Sequence, residues 1–251
     1  LYRLRFHTLC PPAYHNLSPV TLHRSPIYLT DVFCPWCFGF APVMRKISAA
    51  HPFPVRVLCG NLVDEPANTS TMGTPRLRAF FQRLSDTTGR TLGQGFFRLL
   101  DEGQGVTMDS SRSAQLMAAL KKLAPGHALE QMETFQEAFY KEGLDVLSLA
   151  DEAKVAARWG IGEKELEDML RSDKVRETAS RDMAEAEDIL GDFVVYPSLF
   201  VRTDDGTLHA VARGYAPFEE VEAKIEDALG RGASLDTVSA DACGLDGSCC
   251  R

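Results

Sequence analysis

Positive charge is the first thing in short supply. The 251 residues carry 27 Lys and Arg against 35 Asp and Glu, a formal net charge of −8. Nucleic acid and anionic membranes are gripped by basic patches, so this balance argues against both as partners. Long apolar runs are missing too, and none approaches the roughly 18 residues of a membrane span. Cysteine is scarce: seven residues fall short of the roughly 8% of a disulfide-stapled scaffold, and an odd number cannot all pair within one chain. A nucleotide loop is absent. Gly93-Gln94-Gly95 and Gly103-Gln104-Gly105 follow no strand, carry no Lys and lack the G-x-G-x-x-G spacing, so they read as loop glycines. Residues 1–24 show no continuous apolar segment with a small-residue cleavage site. They read as a poorly ordered extension, and a cytoplasmic location is the expectation. What remains is a globular chain long enough to bury a core without staples.

The first clear element is Ile27–Phe33, apolar, β-branched and aromatic, which reads as a buried strand. A helix follows from Pro35 to about Ala50, with Pro in its first position and Phe38, Ala41, Met44 and Ile47 on one face. Pro42 lies inside it and should kink it. Val55–Cys59 reads as a second strand, parallel to the first. From about Asn61 to Gly191 no strand is expected: Pro66–Thr74 reads as a loop, and helical stretches then follow one another with breaks at Pro125-Gly126, Gly143 and Gly160-Ile161-Gly162. Their apolar stripes are Leu129, Met132, Phe135 and Phe139, then Ala150, Ala153 and Ala157, then Val175, Ala179, Met183 and Ala186. Strand character returns over Phe193–Val201. Asp204-Asp205-Gly206 turns the chain into a further strand over Thr207–Ala212. A last helix opens at Pro217 and ends near Leu229.

Cys34-Pro35-Trp36-Cys37 stands where the first strand meets the first helix. Cys34 falls at the N-cap, where the amides of Trp36 and Cys37 point back at its sulfur as they would at a capping carboxylate. With the positive end of the helix dipole, this predicts a Cys34 pKa below the ordinary thiol value. Cys37 lies one turn on, within bonding reach. The pair reads as a nucleophile and its resolving partner. A zinc site is the alternative, but it needs a second pair of ligands at suitable spacing, and no other Cys-x-x-Cys exists. Two buried structural cysteines are a further alternative. Asp31 is either a proton relay for Cys37 or a cap on nearby backbone. Pro197 is either a strand-edge proline or a cis-proline that exposes the Tyr196 backbone to an added substrate strand.

Strand, Cys-x-x-Cys, helix with Pro five residues on, strand, aromatic-Pro-Ser, hairpin and helix together resemble the thioredoxin fold. The long helical insertion resembles its DsbA-like branch. Asp31-Val32-Phe33-Cys34-Pro35-Trp36-Cys37-Phe38-Gly39 is similar to the FrnE-like and predicted disulfide-isomerase members. The resemblance covers about residues 26–230. It implies an α/β chain with a thioredoxin-like domain at 26–61 and 191–230 and an inserted helical domain at 62–190. An extension at 1–25 and a cysteine-containing tail at 231–251 flank them. It implies thiol–disulfide exchange with Cys34 as nucleophile, Cys37 as resolver, Pro197 as cis-proline and Asp31 close to the pair, with no cofactor and no metal. The implied partner is a thiol- or disulfide-bearing protein or peptide, or glutathione. Trp36, Phe38 and Tyr196 would form the apolar docking face. Tyr196 stands where the family usually has a smaller residue, which implies an altered substrate fit; the inter-cysteine pair Pro-Trp has no His, which implies a less oxidising couple than DsbA's. Kappa-class glutathione transferases and hydroxychromene-carboxylate isomerases look similar but typically carry Ser at the position of Cys34. A non-catalytic holdase on the same fold is a third reading.

Among the other cysteines, Cys59 reads as a core residue and Cys10 has no assigned role. Cys243, Cys249 and Cys250 sit in the tail. They read either as incidental or as a disulfide shuttle or soft-metal site.

Overall fold

A computed structural model describes residues 25–51, 53–101 and 103–230. The expectations for the 1–24 extension, for Cys10 and for the cysteine tail lie outside them. Strand β1 (Pro26–Thr30) is buried along its whole length. Helix α1 (Pro35–Ala50) follows, with Cys34 as N-cap and Pro35 in the first turn, and it runs on through Pro42. Strand β2 (Arg56–Cys59) then pairs with β1 in parallel, Ile27 opposite Arg56.

The chain next enters the long helical segment, and here one expectation is corrected. A short antiparallel ribbon joins β3 (Ala67–Asn68), in the expected loop, to β4 (Thr107–Met108), in the expected helical stretch, where no strand was expected. Two-residue strands carry no readable period. Between them lie α2 (Pro75–Thr88) and α3 (Gln94–Leu99). Helix α4 (Ser110–Leu123) follows, capped by Asp109. Next come α5 (Ala128–Glu137), which passes into a π-turn over Ala138–Glu142, then α6 (Leu149–Ala156), α7 (Glu163–Leu170) and α8 (Asp173–Leu190). Gly126, Gly143 and Gly160 all fall between helical stretches, each with a positive φ.

Gly93 and Gly95 are not loop glycines. Gly93 is the N-cap of α3 and Gly95 lies within it. A Cβ on Gly93 would lie 1.9 Å from the carbonyl oxygen of Lys141, and one on Gly95 1.9 Å from that of Glu142. These glycines let α3 press its backbone against the π-turn.

The late hairpin is formed by β5 (Ser198–Arg202) and β6 (Leu208–Arg213), and β5 lies antiparallel to β1. The sheet order is β2-β1-β5-β6. Helix α9 (Phe218–Ala228) closes the described chain, with Pro217 as its N-cap rather than its first residue. The residues Phe193–Tyr196, expected in the strand, precede it instead. The Tyr196–Pro197 bond is cis, and Pro197 has no N–H to give a ladder. One apolar cluster runs through both parts of the chain, from Tyr28, Val57 and Leu199 of the sheet to Leu116, Phe135 and Leu166 of the helices. A second, smaller cluster gathers Cys34 and Cys37 with Leu29, Leu58, Leu190 and Tyr196.

Candidate active site

The end of β1 delivers Thr30 and Asp31, and a tight turn carries the chain into α1. The Cys34 amide bonds to the Asp31 carbonyl at 3.2 Å. The Cys37 amide donates to the Cys34 sulfur at 3.2 Å, which is the N-cap bond expected from the motif. Both cysteines are free thiols and both are buried. Across the sheet, the cis-proline turn brings the Tyr196 carbonyl to 3.7 Å from Cys34 Sγ, which donates to it. The turn is tied to the end of β6 by the Gly214 amide, which donates to the Pro197 carbonyl at 2.7 Å. Sulfur pair, helix start and cis-proline are thus brought together from segments 162 residues apart.

Burial changes the electrostatics. Cys34 is only 2% exposed. Desolvation, with the neighbouring Cys37, pushes its thiol well above the ordinary value and outweighs the bond from the Cys37 amide. The lowered pKa expected from the helix start therefore does not hold in this closed arrangement. Low dielectric penalises the anion more than one N–H favours it.

Asp31 is buried at the mouth of α1. Its carboxylate accepts from the Phe33 amide at 2.8 Å, the Leu62 amide at 3.2 Å and the Ser110 hydroxyl at 2.6 Å. Its pKa is raised by burial, against the pull of those three donors. These bonds tie the end of β1 to the first residue of α4. Ser110 in turn accepts from the Val63 amide at 2.9 Å. Gln136, fully buried, donates to the Asp31 carbonyl at 3.0 Å, and Tyr140 donates to the Phe33 carbonyl. Sequence reasoning misses Ser110, Gln136 and Tyr140. The one available signal is a glutamine set among apolar stripe residues.

The expected docking face is rearranged. Trp36 is half-buried between Phe80 and Tyr215. Phe38 is fully buried, with the Arg90 guanidinium 4.1 Å over its ring and Tyr140 beside it, so its side chain offers no surface. Tyr196 is 6% exposed. Its ring lies over Gly60, and its hydroxyl accepts from the Asn61 amide at 3.2 Å. The exposed large apolar side chains among the described residues are Leu62, Phe193 and Val194. Leu62 follows β2, where its amide bonds Asp31, and Phe193 and Val194 lead to the cis-proline turn whose Tyr196 carbonyl meets Cys34. Their exposure is hidden in the sequence because Phe193 and Val194 read as strand.

A family model, the DSBA-like thioredoxin domain, matches residues 28–190. The chain belongs to the DSBA-like thioredoxin domain family. No match was found among curated proteins. Solved DSBA-like structures share the fold. A candidate protein disulfide isomerase from Nitrosomonas europaea superposes with a TM-score of 0.67 at 23% identity, covering 81% of this chain and 96% of that one. The cytosolic disulfide reductase DsbM from Pseudomonas aeruginosa gives 0.66 at 21% identity, over 81% and 98%, and has also been solved with glutathione. A 2-hydroxychromene-2-carboxylate isomerase gives 0.55 at 16% identity, over 85% and 100%. The fold class expected from the motif order is therefore found: a thioredoxin fold of the DSBA-like kind, mixed α/β and mostly helical. Among the described residues no helix is long and apolar enough to cross a membrane.

Proposed function

We propose that this chain is a thiol–disulfide oxidoreductase working through Cys34 and Cys37. In the reductive direction Cys34, as thiolate, attacks one sulfur of a substrate disulfide. A bond forms between Cys34 and that sulfur, and the other sulfur leaves as a thiolate and takes up a proton. Cys37, deprotonated, then attacks Cys34 Sγ. The Cys34–Cys37 disulfide forms and the second substrate sulfur leaves with the electron pair. The reverse sequence donates a disulfide to a dithiol. The observation that carries this reading is the junction itself: the Cys37 amide on Cys34 Sγ, with the cis-proline turn's Tyr196 carbonyl against the same sulfur. The exposed apolar side chains of Leu62, Phe193 and Val194, on the segments that follow β2 and lead to the cis-proline, are proposed to receive an extended peptide substrate, together with the half-buried Trp36. Glutathione is the small thiol proposed as reductant, in line with the glutathione complex of DsbM. A cytosolic setting is proposed on the same ground. Asp31 is proposed to hold the β1–α1 turn rather than to carry protons, since its oxygens are taken by Phe33, Leu62 and Ser110.

The test is insulin reduction with glutathione or dithiothreitol as reductant, with the reduction potential measured against glutathione. Wild type is expected to turn over, with a potential below the about −120 mV of DsbA. Cys34→Ser is expected to abolish activity, and Cys37→Ser to accumulate a mixed disulfide on Cys34. Glutathione conjugation that survives Cys37→Ser, with no insulin reduction by wild type, would move the chain to the isomerase and transferase class. Substrate protection that survives loss of both thiols would make it a holdase.

A further inference from the structure

Arg213 is the last residue of β6, and its guanidinium reaches back to the segment between α8 and the cis-proline. Nη2 donates to the carbonyl of Leu190, the last residue of α8, at 3.0 Å, and to the carbonyl of Phe193. The same cation lies 5.1 Å from the centre of the Phe193 ring and 5.6 Å from that of Phe200 in β5. The first bond takes a carbonyl that α8 itself cannot satisfy. The second closes the guanidinium over Gly191, whose φ of +59° and ψ of −144° suit glycine, and over Asp192. Phe193 is nevertheless 65% exposed and Val194 58%. The two residues after Arg213 hold the site from its other side. The Gly214 amide donates to the Pro197 carbonyl at 2.7 Å, and the Tyr215 ring lies 6.2 Å from that of Trp36, between the cysteines. The end of β6 is thus a frame fixed to the cis-proline turn and to α1. Arg213 ties the approach segment to that frame through two backbone carbonyls and a ring, which suits the planar fork of a guanidinium.

We propose that Arg213 is the positioning residue for peptide substrates: it holds the segment from Gly191 to Val195, with Phe193 and Val194 outward, in the pose along which an extended peptide lies. This rests on the exchange reading above and names what fixes its docking face. Without the guanidinium each arriving peptide has to order that segment itself, and the ordering weakens binding. Apparent affinity falls in proportion to the fraction of chains already in the receiving pose. The sulfurs keep their own partners, the Cys37 amide and the Tyr196 carbonyl. The loss therefore falls on KM and not on kcat.

The test measures KM and kcat for insulin reduction, with dithiothreitol as reductant, in wild type, Arg213→Gln and Arg213→Lys. Hydroxyethyl disulfide, which has no peptide to lie along the segment, is the second substrate. A hydrogen bond from a charged donor is worth about 10-fold or more at equilibrium. Arg213→Gln is therefore expected to raise the KM for insulin about 10-fold, with kcat within about twofold of wild type. Arg213→Lys keeps the charge but not the fork, and about 3-fold is expected. It is the milder break, and it carries the test where the Gln variant does not fold. Chymotrypsin cleavage after Phe193, followed by mass spectrometry, should quicken in step with KM, because it reads how often the segment opens. An unchanged KM in both variants overturns the proposal. So does a fall in kcat as large as the rise in KM, or an equal loss with hydroxyethyl disulfide, since either makes Arg213 a support of the fold or of the cysteines. A wild type that reduces hydroxyethyl disulfide but not insulin overturns the proposal and leaves the exchange reading standing. One that reduces neither overturns the exchange reading itself.

Discussion

Gly60 and Tyr196 make a pair whose coupling can be measured. Gly60 ends β2's run toward the site, and its amide donates to the Thr30 carbonyl at 2.7 Å. A Cβ placed there would lie 2.2 Å from Tyr196 Cζ and 2.5 Å from its hydroxyl. Ordinary contact begins at 3.4 Å, so the ring would have to retreat by about 1 Å. Gly60 is not among the glycines with positive φ, so alanine costs little through the backbone. Overpacking of this kind costs about 1–3 kcal/mol. Displacing the ring also strains or breaks the Asn61 amide bond, about 1 kcal/mol more. Gly60→Ala is thus expected to cost about 2–4 kcal/mol. Tyr196→Ala alone should cost about 3–5 kcal/mol, as for other buried aromatic side chains. In the Tyr196→Ala background the three nearest atoms, all of that ring, are gone, and Gly60→Ala should cost under about 0.5 kcal/mol. The assay is a double-mutant cycle of urea unfolding free energies with unchanged m-values. A coupling of about 2–3 kcal/mol is expected. If Gly60→Ala costs the same with and without the ring, the glycine does not make room for Tyr196 and the reasoning fails.

Two further outcomes follow from burial. Cys34 is pushed well above the ordinary thiol value of 9.0. Its alkylation by iodoacetamide, followed by mass spectrometry, should therefore go on rising past pH 9.0, and a plateau near neutrality would show that the sulfur is open and desolvation small. Asp31 is raised above 3.8 by burial. The stability it contributes when protonated is fully present below that pH and is lost as pH rises through the raised value. Asp31→Asn titrates nothing, so its stability relative to wild type should improve between pH 4 and pH 7. A difference that stays constant in urea titrations would refute this.

The parts readable in the sequence are those whose causes are local. Pro35 in the first turn, Cys34 as cap and the stripe of Phe38, Met44 and Ile47 define α1 from neighbouring residues alone. The order of strands and helix around Cys34 and Pro197 carries the fold class. What escapes reading depends on distant partners. Phe38 reads as a docking residue because the Arg90 that covers it lies in another element. The donors that hold Asp31 include Ser110, 79 residues further on. Gly93 and Gly95 give no motif because their reason is the backbone of Lys141 and Glu142. Phe193 to Val195 have strand composition but precede a proline that gives no ladder donor, and composition does not show where pairing begins.

The strand order has a consequence for synthesis. β1 and Cys34 are made early, but their neighbour β5 and the Tyr196 turn come 162 residues later. At roughly 5–20 residues per second that interval is about 8–30 s on the ribosome. For that time the two thiols emerge without the segment that later covers them. Through that interval the sulfurs that the folded chain buries stand open to solvent and to whatever thiols surround the ribosome.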